Sequence, residues 1–572
     1  MKNIPLYDVE TIRDLKEMLE KSERKFGPKA AYLRKTEGNT EYEPVSFTHF
    51  KKDVDAFGTK LLEMGCGGKR VAVIGENRYE WSVTYLSVIN SSDAVIVPLD
   101  KELPVQEIIT SLNRAEVYAV VFSHKLADKM AECMSQVPTM KYWIIMGHSD
   151  LSDSFISFDD LLREGHALVE GGRKDFIDAH INPEEMRVLL FTSGTTDVAK
   201  AVMLSHRNIC ENLMAMCSMV YIDDKDVFLS ILPIHHTYEC TCGYLCQLYR
   251  GSTVAYCEGL RHITKNMAQA KVTMILGVPL VFESMHKKVW DTIRKSGMEK
   301  KVRFGLKLSN FLRKIGIDRR RKLFAQIHES FGGHLRLLIC GAAAIDPIVS
   351  KDFRDFGILT IQGYGLTECA PIAALNRDCD YKDDAAGLPM PKVEIKIDAP
   401  SSDGIGEILI KGPNVMLGYY QDEAATKMAI NSEGFFHSGD LGYIDSDQFV
   451  HITGRKKNVI VTKNGKNIFP EEIEYLLLKS PYIEEVMVYG DEENGETIVK
   501  ANIFPNYENI TEAAANGLIS SDNPRAVIQN EIRSVNKQLV AYKAVKGFVL
   551  RENEFVKTST KKIKRYVEEN QV

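Results

Sequence analysis

Between Lys69 and Ala343, short β-branched and aliphatic runs alternate with longer stretches of helical periodicity: RVAVIG, AVIVPL, YAVVFS, YWIIMG, RVLLFTSG, STVAYC, VTMILGVP and LRLLICGAA. Runs of this kind read as strands buried on both faces under covering helices, so the pattern predicts an α/β fold. Several runs end in glycine-rich turns, where open α/β sheets place their ligand sites. After about Ala385 the texture changes: KVEIKI, GEILIKG, FFHSGDLGYID and QFVHITG are short strands joined by tight polar turns, which predict an antiparallel β subdomain. A charged turn, GRKKN at Gly454–Asn458, interrupts the pattern. The chain beyond this turn is long enough for a small α+β domain: a helix over Pro470–Leu478, strands EEVMVYG and ETIVKANIFP, a helix near Pro524–Gln538, GFVLRENEF and a basic tail. The boundary is therefore expected at 456/457, giving a large domain over 1–456 and a small one over 457–572.

Length and composition narrow the class. A chain of 572 residues with 44% hydrophobic and 26% charged residues, 39 Gly and 19 Pro, is expected to form several folded units, which excludes disordered, collagen-like and coiled-coil classes. Its 72 Lys+Arg and 78 Asp+Glu leave a net charge of −6, so no nucleic-acid partner is expected. Eleven Cys without a regular framework suit free thiols in a reducing compartment, and a cytoplasmic protein is expected. The first residues carry charges throughout and lack the apolar core of a signal peptide. The charge-poor stretch Val227–Tyr249 contains Pro233, His235, His236 and Glu239, costly in lipid, so no membrane span is predicted.

The candidate chemistry sits at strand ends. Strand VLLF runs into Thr192-Ser193-Gly194-Thr195-Thr196, with Lys200 close behind. Hydroxyls and backbone N–H groups around a glycine can cradle phosphate oxygens, and a nearby lysine compensates their charge. The loop lacks the second Gly and the Ser/Thr after Lys of a Walker A motif, and alone it would read as an ordinary Ser/Thr turn. Strand ILTIQ, ending at Gln362, leads into Gly363-Tyr364-Gly365-Leu366-Thr367-Glu368, which offers an aromatic face for a base, a hydroxyl for a phosphate and a carboxylate for Mg2+. Asp440, in FFHSGD, adds a carboxylate suited to ribose hydroxyls, and Arg455 adds a cation. Lys557–Arg565 reads KTSTKKIKR.

In this order the blocks resemble the adenylate-forming superfamily of acyl-CoA synthetases, nonribosomal adenylation domains and luciferases, over residues 10 to 566. The resemblance implies stacked α/β sheets in the large domain and a small mobile C-terminal lid. It makes Thr192, Ser193, Gly194, Thr195, Thr196 and Lys200 the ATP phosphate loop, and Gly341, Ala342 and Ala343 with Gln362, Gly363 and Tyr364 the adenine pocket. Thr367 would touch the α-phosphate, Glu368 hold Mg2+, and Asp440 with Arg455 bind the ribose. Lys457 takes the hinge position and Lys562 that of the lysine stabilising the adenylation transition state. The chain departs from the pattern in two places. Asp197-Val198-Ala199-Lys200-Ala201 replaces Gly-x-Pro-Lys-Gly, setting a carboxylate beside the expected triphosphate, and Lys561 replaces the Gly before the catalytic lysine.

For the acid, Leu232–Glu239 (LPIHHTYE) looks like the family's acyl-pocket motif, with His236 near the carboxylate, and Gly277-Val278 opens a stretch resembling the long-chain fatty acid members. His235, His236, Glu239, Cys240, Cys242 and Cys246 are all potential ligands, but their spacing fits neither C-x2-C nor H-E-x-x-H, so no metal beyond Mg2+ is expected. Residues 287–322 hold 14 Lys/Arg against three Asp/Glu, interleaved with Leu306, Leu308, Phe311, Leu312 and Ile315. That segment either makes peripheral contact with anionic membranes or packs its apolar stripe onto the core. The expectation is an ATP-dependent fatty acid:CoA ligase whose substrates are a fatty acid, ATP and CoA. A free acyl carrier protein as acceptor is one alternative; a catalytically silent lipid-binding or scaffold relative, supported by Asp197, is the other.

Overall fold

The computed structural model describes residues 4–36, 38–147, 154–192, 200–462, 466–493, 496–558 and 562–571. The chain separates into two compact units, Met1–Ile395 with Ile410–Phe436 and Ser446–Val450, and Lys396–Leu409 with His437–Asp445 and His451–Val572. This grouping does not follow the single cut expected at 456/457. β-Ladders join segments distant in sequence, so compactness places residues 396–409 and 437–445 with the chain after 451.

The first unit carries an eight-stranded and a nine-stranded sheet. Strand Arg70–Ile74 pairs in parallel with Val95–Leu99 on one side and Val117–Ser123 on the other, which makes it an interior strand of the sheet, and Val71 to Ile74 are fully buried, so side chains on both of its faces are covered. That is why RVAVI reads as an unbroken apolar run instead of an alternation. Strand Met186–Thr192 has neighbours of both senses, with Val95–Leu99 parallel to it on one side. It pairs antiparallel with Lys200–Ser205, a strand the apolar pattern did not single out. Only seven residues separate the two, too few for the crossover that a parallel neighbour requires.

In the nine-stranded sheet, Met274–Gly277, Leu337–Cys340 and Leu359–Gly365 are parallel neighbours. Their register sets Gly277 opposite Cys340 and Cys340 opposite Gln362, so three motifs far apart in sequence end in one row at the carboxyl edge. The core beneath includes Ile275, Phe282, Leu338, Phe353 and Phe356.

The segments expected as a β subdomain form a four-stranded sheet of Glu394–Asp398, Gly406–Lys411, Phe436–Ile444 and Val450–Arg455. In the second unit, helices Pro470–Leu478 and Pro524–Asn536 cover a three-stranded sheet of Ile483–Glu493, Glu496–Pro505 and Val545–Leu550. Ile473, Leu477, Val488, Ala501, Ile503, Ile528 and Ile532 form its core. Among the described residues no helix is long and apolar enough to cross a membrane.

Candidate active site

Ser193, Gly194, Thr195 and Thr196 of the expected phosphate loop, with Asp197, lie outside the described residues, as does Lys561. The two ends of that loop are described. Thr192 and Lys200 are register partners in the hairpin, and the Thr192 hydroxyl donates to the Lys200 carbonyl at 3.2 Å. The Lys200 ammonium lies 4.6 Å from the centre of the Tyr419 ring, within cation–π range. The Tyr419 hydroxyl donates to Glu368 Oε1 at 3.0 Å. Tyr419 is buried, and burial followed by the Glu368 charge raises its phenol pKa well above the usual value.

The Lys200–Tyr419–Glu368 chain joins the expected phosphate lysine to the expected metal carboxylate. The sequence reading missed Tyr419. Its backbone is held in strand Gly418–Tyr419, paired with Lys200–Ser205, and its N–H donates to Thr426 Oγ1 at 2.8 Å. Glu368 lies with Thr367 in a short turn, Thr367–Cys369, anchored where Met416 N–H donates to the Glu368 carbonyl at 2.8 Å. A half-buried carboxylate oriented through one oxygen fits Mg2+, which takes one or two protein carboxylates and completes its shell with substrate phosphates.

The strand-end row forms a second part of the site. Gly341 N–H donates to the Gly277 carbonyl at 3.1 Å, so the two glycine turns touch. A Cβ on Gly341 would lie 2.7 Å from Cζ of Tyr238, and one on Gly277 2.6 Å from Cζ of Phe282. Both positions need glycine because aromatic rings lie directly against the backbone. Ala342 and Ala343 are exposed, and Ala342 holds φ 71°, a left-handed conformation that is strained for a residue with a Cβ. Gln362 is buried, with its amide committed to protein: Oε1 accepts from Ile345 N–H at 3.3 Å and Nε2 donates to the Asp383 carbonyl at 2.8 Å. It braces the 341–345 turn rather than presenting its amide to a ligand. Gly363 and Tyr364 pair with Leu375 and Ala374, which holds Tyr364, half-buried, at the end of the row.

The expected acyl motif enters a π-helical stretch, Tyr238–Leu245, a local departure that recurs at functional sites. The Tyr238 hydroxyl donates to the Ile339 carbonyl at 2.9 Å, fixing its ring over Gly341. Val278 follows Gly277 as a buried residue, and His236 is half-buried, its ring 4.2 Å from that of His235. Asn77, absent from the sequence reading, holds the entry to this motif by donating to the Leu232 carbonyl at 2.6 Å and accepting from Ile234 N–H at 3.1 Å.

Glu239 is fully buried and accepts from the Ser230 hydroxyl at 2.5 Å; burial pushes its carboxyl pKa up to about 8. His235 Nε2 lies 3.6 Å from Asp100 Oδ2, and burial, then the charges of His236 and Lys101, push its pKa well down. Asp100, His235 and His236 are the group of metal-capable side chains that converge among the described residues; of the potential ligands named from the sequence, it contains the two histidines.

In the second unit, Asp440 is buried and Arg455 is exposed, with Arg455 Nε 2.7 Å from Asp440 Oδ1. The strand end is shaped by Gly439, whose φ of 69° turns its N–H to donate to Glu407 Oε1 at 3.1 Å. Ser438 Oγ accepts from Asp440 N–H at 3.1 Å. Lys562 belongs to the same electrostatic cluster: desolvation and then the positive Arg455 lower its pKa, while Asp440 opposes them. The Lys562 carbonyl accepts from Thr558 N–H at 2.8 Å. Lys457 is exposed within a short turn, Lys456–Asn458, its pKa lowered by desolvation and by Arg455 and Arg565. On either side of it, Lys456 pairs with Glu407 at 2.9 Å and Asn458 donates to Glu471 at 2.7 Å.

The AMP-binding enzyme family matches residues 19–420. The chain is 28% identical over 485 residues to long-chain-fatty-acid–CoA ligase 6 of Mus musculus, covering 79% of this chain and 68% of that protein. It is 26% identical over 551 residues to the peroxisomal long chain acyl-CoA synthetase 6 of Arabidopsis thaliana, covering 90% and 76%. Among solved structures, the anthranilate CoA ligase AuaEII in complex with anthranoyl-AMP superimposes with a TM-score of 0.77 at 18% identity, covering 99% of this chain and 98% of that one. A fatty acyl CoA synthetase of Mycobacterium tuberculosis does so with a TM-score of 0.65 at 20% identity, covering 96% of each. At those identities the structural likeness is one of fold. The family match spans well over half of the chain, and the chain belongs to the AMP-binding enzyme family.

Proposed function

We propose that this chain is an AMP-forming fatty acid:CoA ligase acting on long-chain acids. The observation that carries the reading is the Lys200–Tyr419–Glu368 arrangement beside the Thr192–Lys200 hairpin, which sets a cation and a carboxylate at the mouth of one loop. The choice of acid rests on relatives named as long-chain enzymes.

In the first half-reaction a carboxylate oxygen of the acid attacks the α-phosphorus of ATP, the bond to the pyrophosphate oxygen breaks, and acyl-AMP forms. Lys200, Thr196 and Lys562 stabilise the charge gathering on phosphate oxygens, Thr367 contacts the α-phosphate, and Asp440 with Arg455 orients the ribose. Gly341, Ala342, Ala343, Gly363 and Tyr364 frame the adenine, with Gln362 behind them. His236, Gly277 and Val278 position the acid. Glu368 would hold Mg2+, which would supply Lewis-acid neutralisation of the phosphates when bound. In the second half-reaction the CoA thiolate attacks the acyl carbonyl and AMP leaves; Lys457 is the pivot that withdraws Lys562 between the two steps. A functional lid over 457–572 belongs to this scheme. Eleven free cysteines favour a reducing, cytoplasmic setting, with peripheral membrane contact through 287–322.

The test is ATP–pyrophosphate exchange with fatty acids of increasing chain length, followed by thioester formation with CoA and, separately, with an acyl carrier protein. Exchange that rises with chain length, and product with CoA, is expected. Exchange absent with every acid would overturn the reading, and product only with the carrier protein would reassign the acceptor.

A further inference from the structure

Helix Glu299–Lys314 has two apolar faces where a surface helix needs one. Val302 and Leu306 pack against the core, Ser309 is buried behind them, and Arg313 approaches Asp355 at 3.6 Å. Spacings of four, three and four put these residues on one side. Phe304, Leu308, Phe311 and Ile315 repeat the same spacing two residues later, and at about 100° per residue this places them nearly opposite. They are 67%, 38%, 62% and 59% exposed. The apolar residues that the sequence suggested as one stripe therefore divide: Leu306 goes to the core, while Leu308, Phe311 and Ile315 face water.

The surroundings indicate what covers that outer face. Lys300, Lys307 and Lys314 fall along one flank of the exposed stripe and Lys301 along the other, all four exposed. The wider segment 287–322 carries 14 Lys/Arg and three Asp/Glu. A contiguous exposed apolar stripe rimmed by polar residues marks an interaction surface. A second copy of the chain is a poor occupant, since isologous pairing would set two strongly positive faces together. The geometry points to an anionic lipid bilayer as the occupant: Phe304 and Phe311 enter the interface as apolar anchors, and the flanking lysines meet lipid phosphates. This narrows the expected membrane contact to one helix face. It is tested apart from the ligase reading, because vesicle binding needs no turnover.

The experiment is sedimentation of the full chain with vesicles of phosphatidylglycerol and phosphatidylcholine, against vesicles of phosphatidylcholine alone, for wild type, Phe304→Ser/Phe311→Ser and Lys300→Gln/Lys307→Gln/Lys314→Gln. These side chains lie outside the core, so both variants are expected to fold, as thermal midpoints equal to that of wild type would verify. Wild type is expected to bind the anionic vesicles more tightly than the neutral ones. The Phe variant should lose about tenfold or more in partition coefficient at any salt, and the Lys variant should lose the salt-sensitive part. Wild type that ignores anionic vesicles, or a Phe variant that binds like wild type, overturns the proposal. Loss with the Lys variant alone would show adsorption by surface charge without entry of the aromatic side chains and overturn it equally.

Discussion

The strand-end row of the first unit and the Asp440–Arg455–Lys562 cluster of the second each bring together residues far apart in sequence, by opposite physics. In the row, backbone register does the work: Gly277, Cys340 and Gln362 are neighbours because three parallel strands are hydrogen-bonded in one phase, and Tyr238 and Phe282 close over glycines. In the cluster, charge does the work: exposed Arg455 reaches buried Asp440, and Lys562 arrives on a loop. A register site tolerates salt but not added volume, whereas a charge site is indifferent to a methyl group and sensitive to a lost charge.

The largest expected effect lies in the cluster. Lys562→Ala should lower acyl-AMP formation by about 10²-fold or more, the usual cost of a lost transition-state charge partner. Conversion of preformed acyl-AMP and CoA to thioester should survive. Equal loss of both half-reactions in single-turnover assays would assign Lys562 a structural part instead.

Glu239, beneath the row, ties burial to pH. Its folded-state pKa of about 8 exceeds the ordinary 4.5, so the native state keeps a proton that the unfolded chain releases. Its contribution to stability is therefore greatest below the ordinary value, falls as pH rises through this window, and levels off above about 8. Glu239→Gln should remove that slope, worth a few kcal/mol in all, and raise the thermal midpoint at about pH 8 more than at about pH 5. Parallel wild-type and variant profiles would clear Glu239 of that part.

Smaller again is Gly341→Ala. Its new methyl meets the Tyr238 ring, which is tied to Ile339, so a loss of about 1–3 kcal/mol is expected. Raised salt should not change that loss, unlike any defect introduced at Arg455. A salt-dependent Gly341 defect would break the contrast between the two regions.

Tyr419→Phe should have the smallest effect. It removes one hydrogen bond to Glu368 and keeps the ring under Lys200, so the KM for MgATP should rise about two- to tenfold, with kcat nearly unchanged at saturating Mg2+. Tyr419→Leu should cost more, since it also removes the cation–π contact. Identical behaviour of the two variants would show that the hydroxyl alone matters.

The amino-acid pattern was enough to mark which runs leave water: the buried strands around Ala72, Val120 and Ile275 and the core of the C-terminal helices are visible as apolar periodicity. It also placed the chemistry-bearing residues at strand ends, because tight turns demand glycine and short polar side chains. Three features were not legible. The strand Lys200–Ser205 was hidden because a hairpin is defined by its partner. Tyr419 looked like one aromatic among many, since Glu368 lies 51 positions away. The apolar residues of 306–315 were counted as one face, although only the packed helix shows which of its sides meets the core. Periodicity is a property of neighbours along the chain and records burial. Register, ring-on-glycine contacts and charge clusters join residues tens to hundreds of positions apart, so folding in three dimensions was required to decide them.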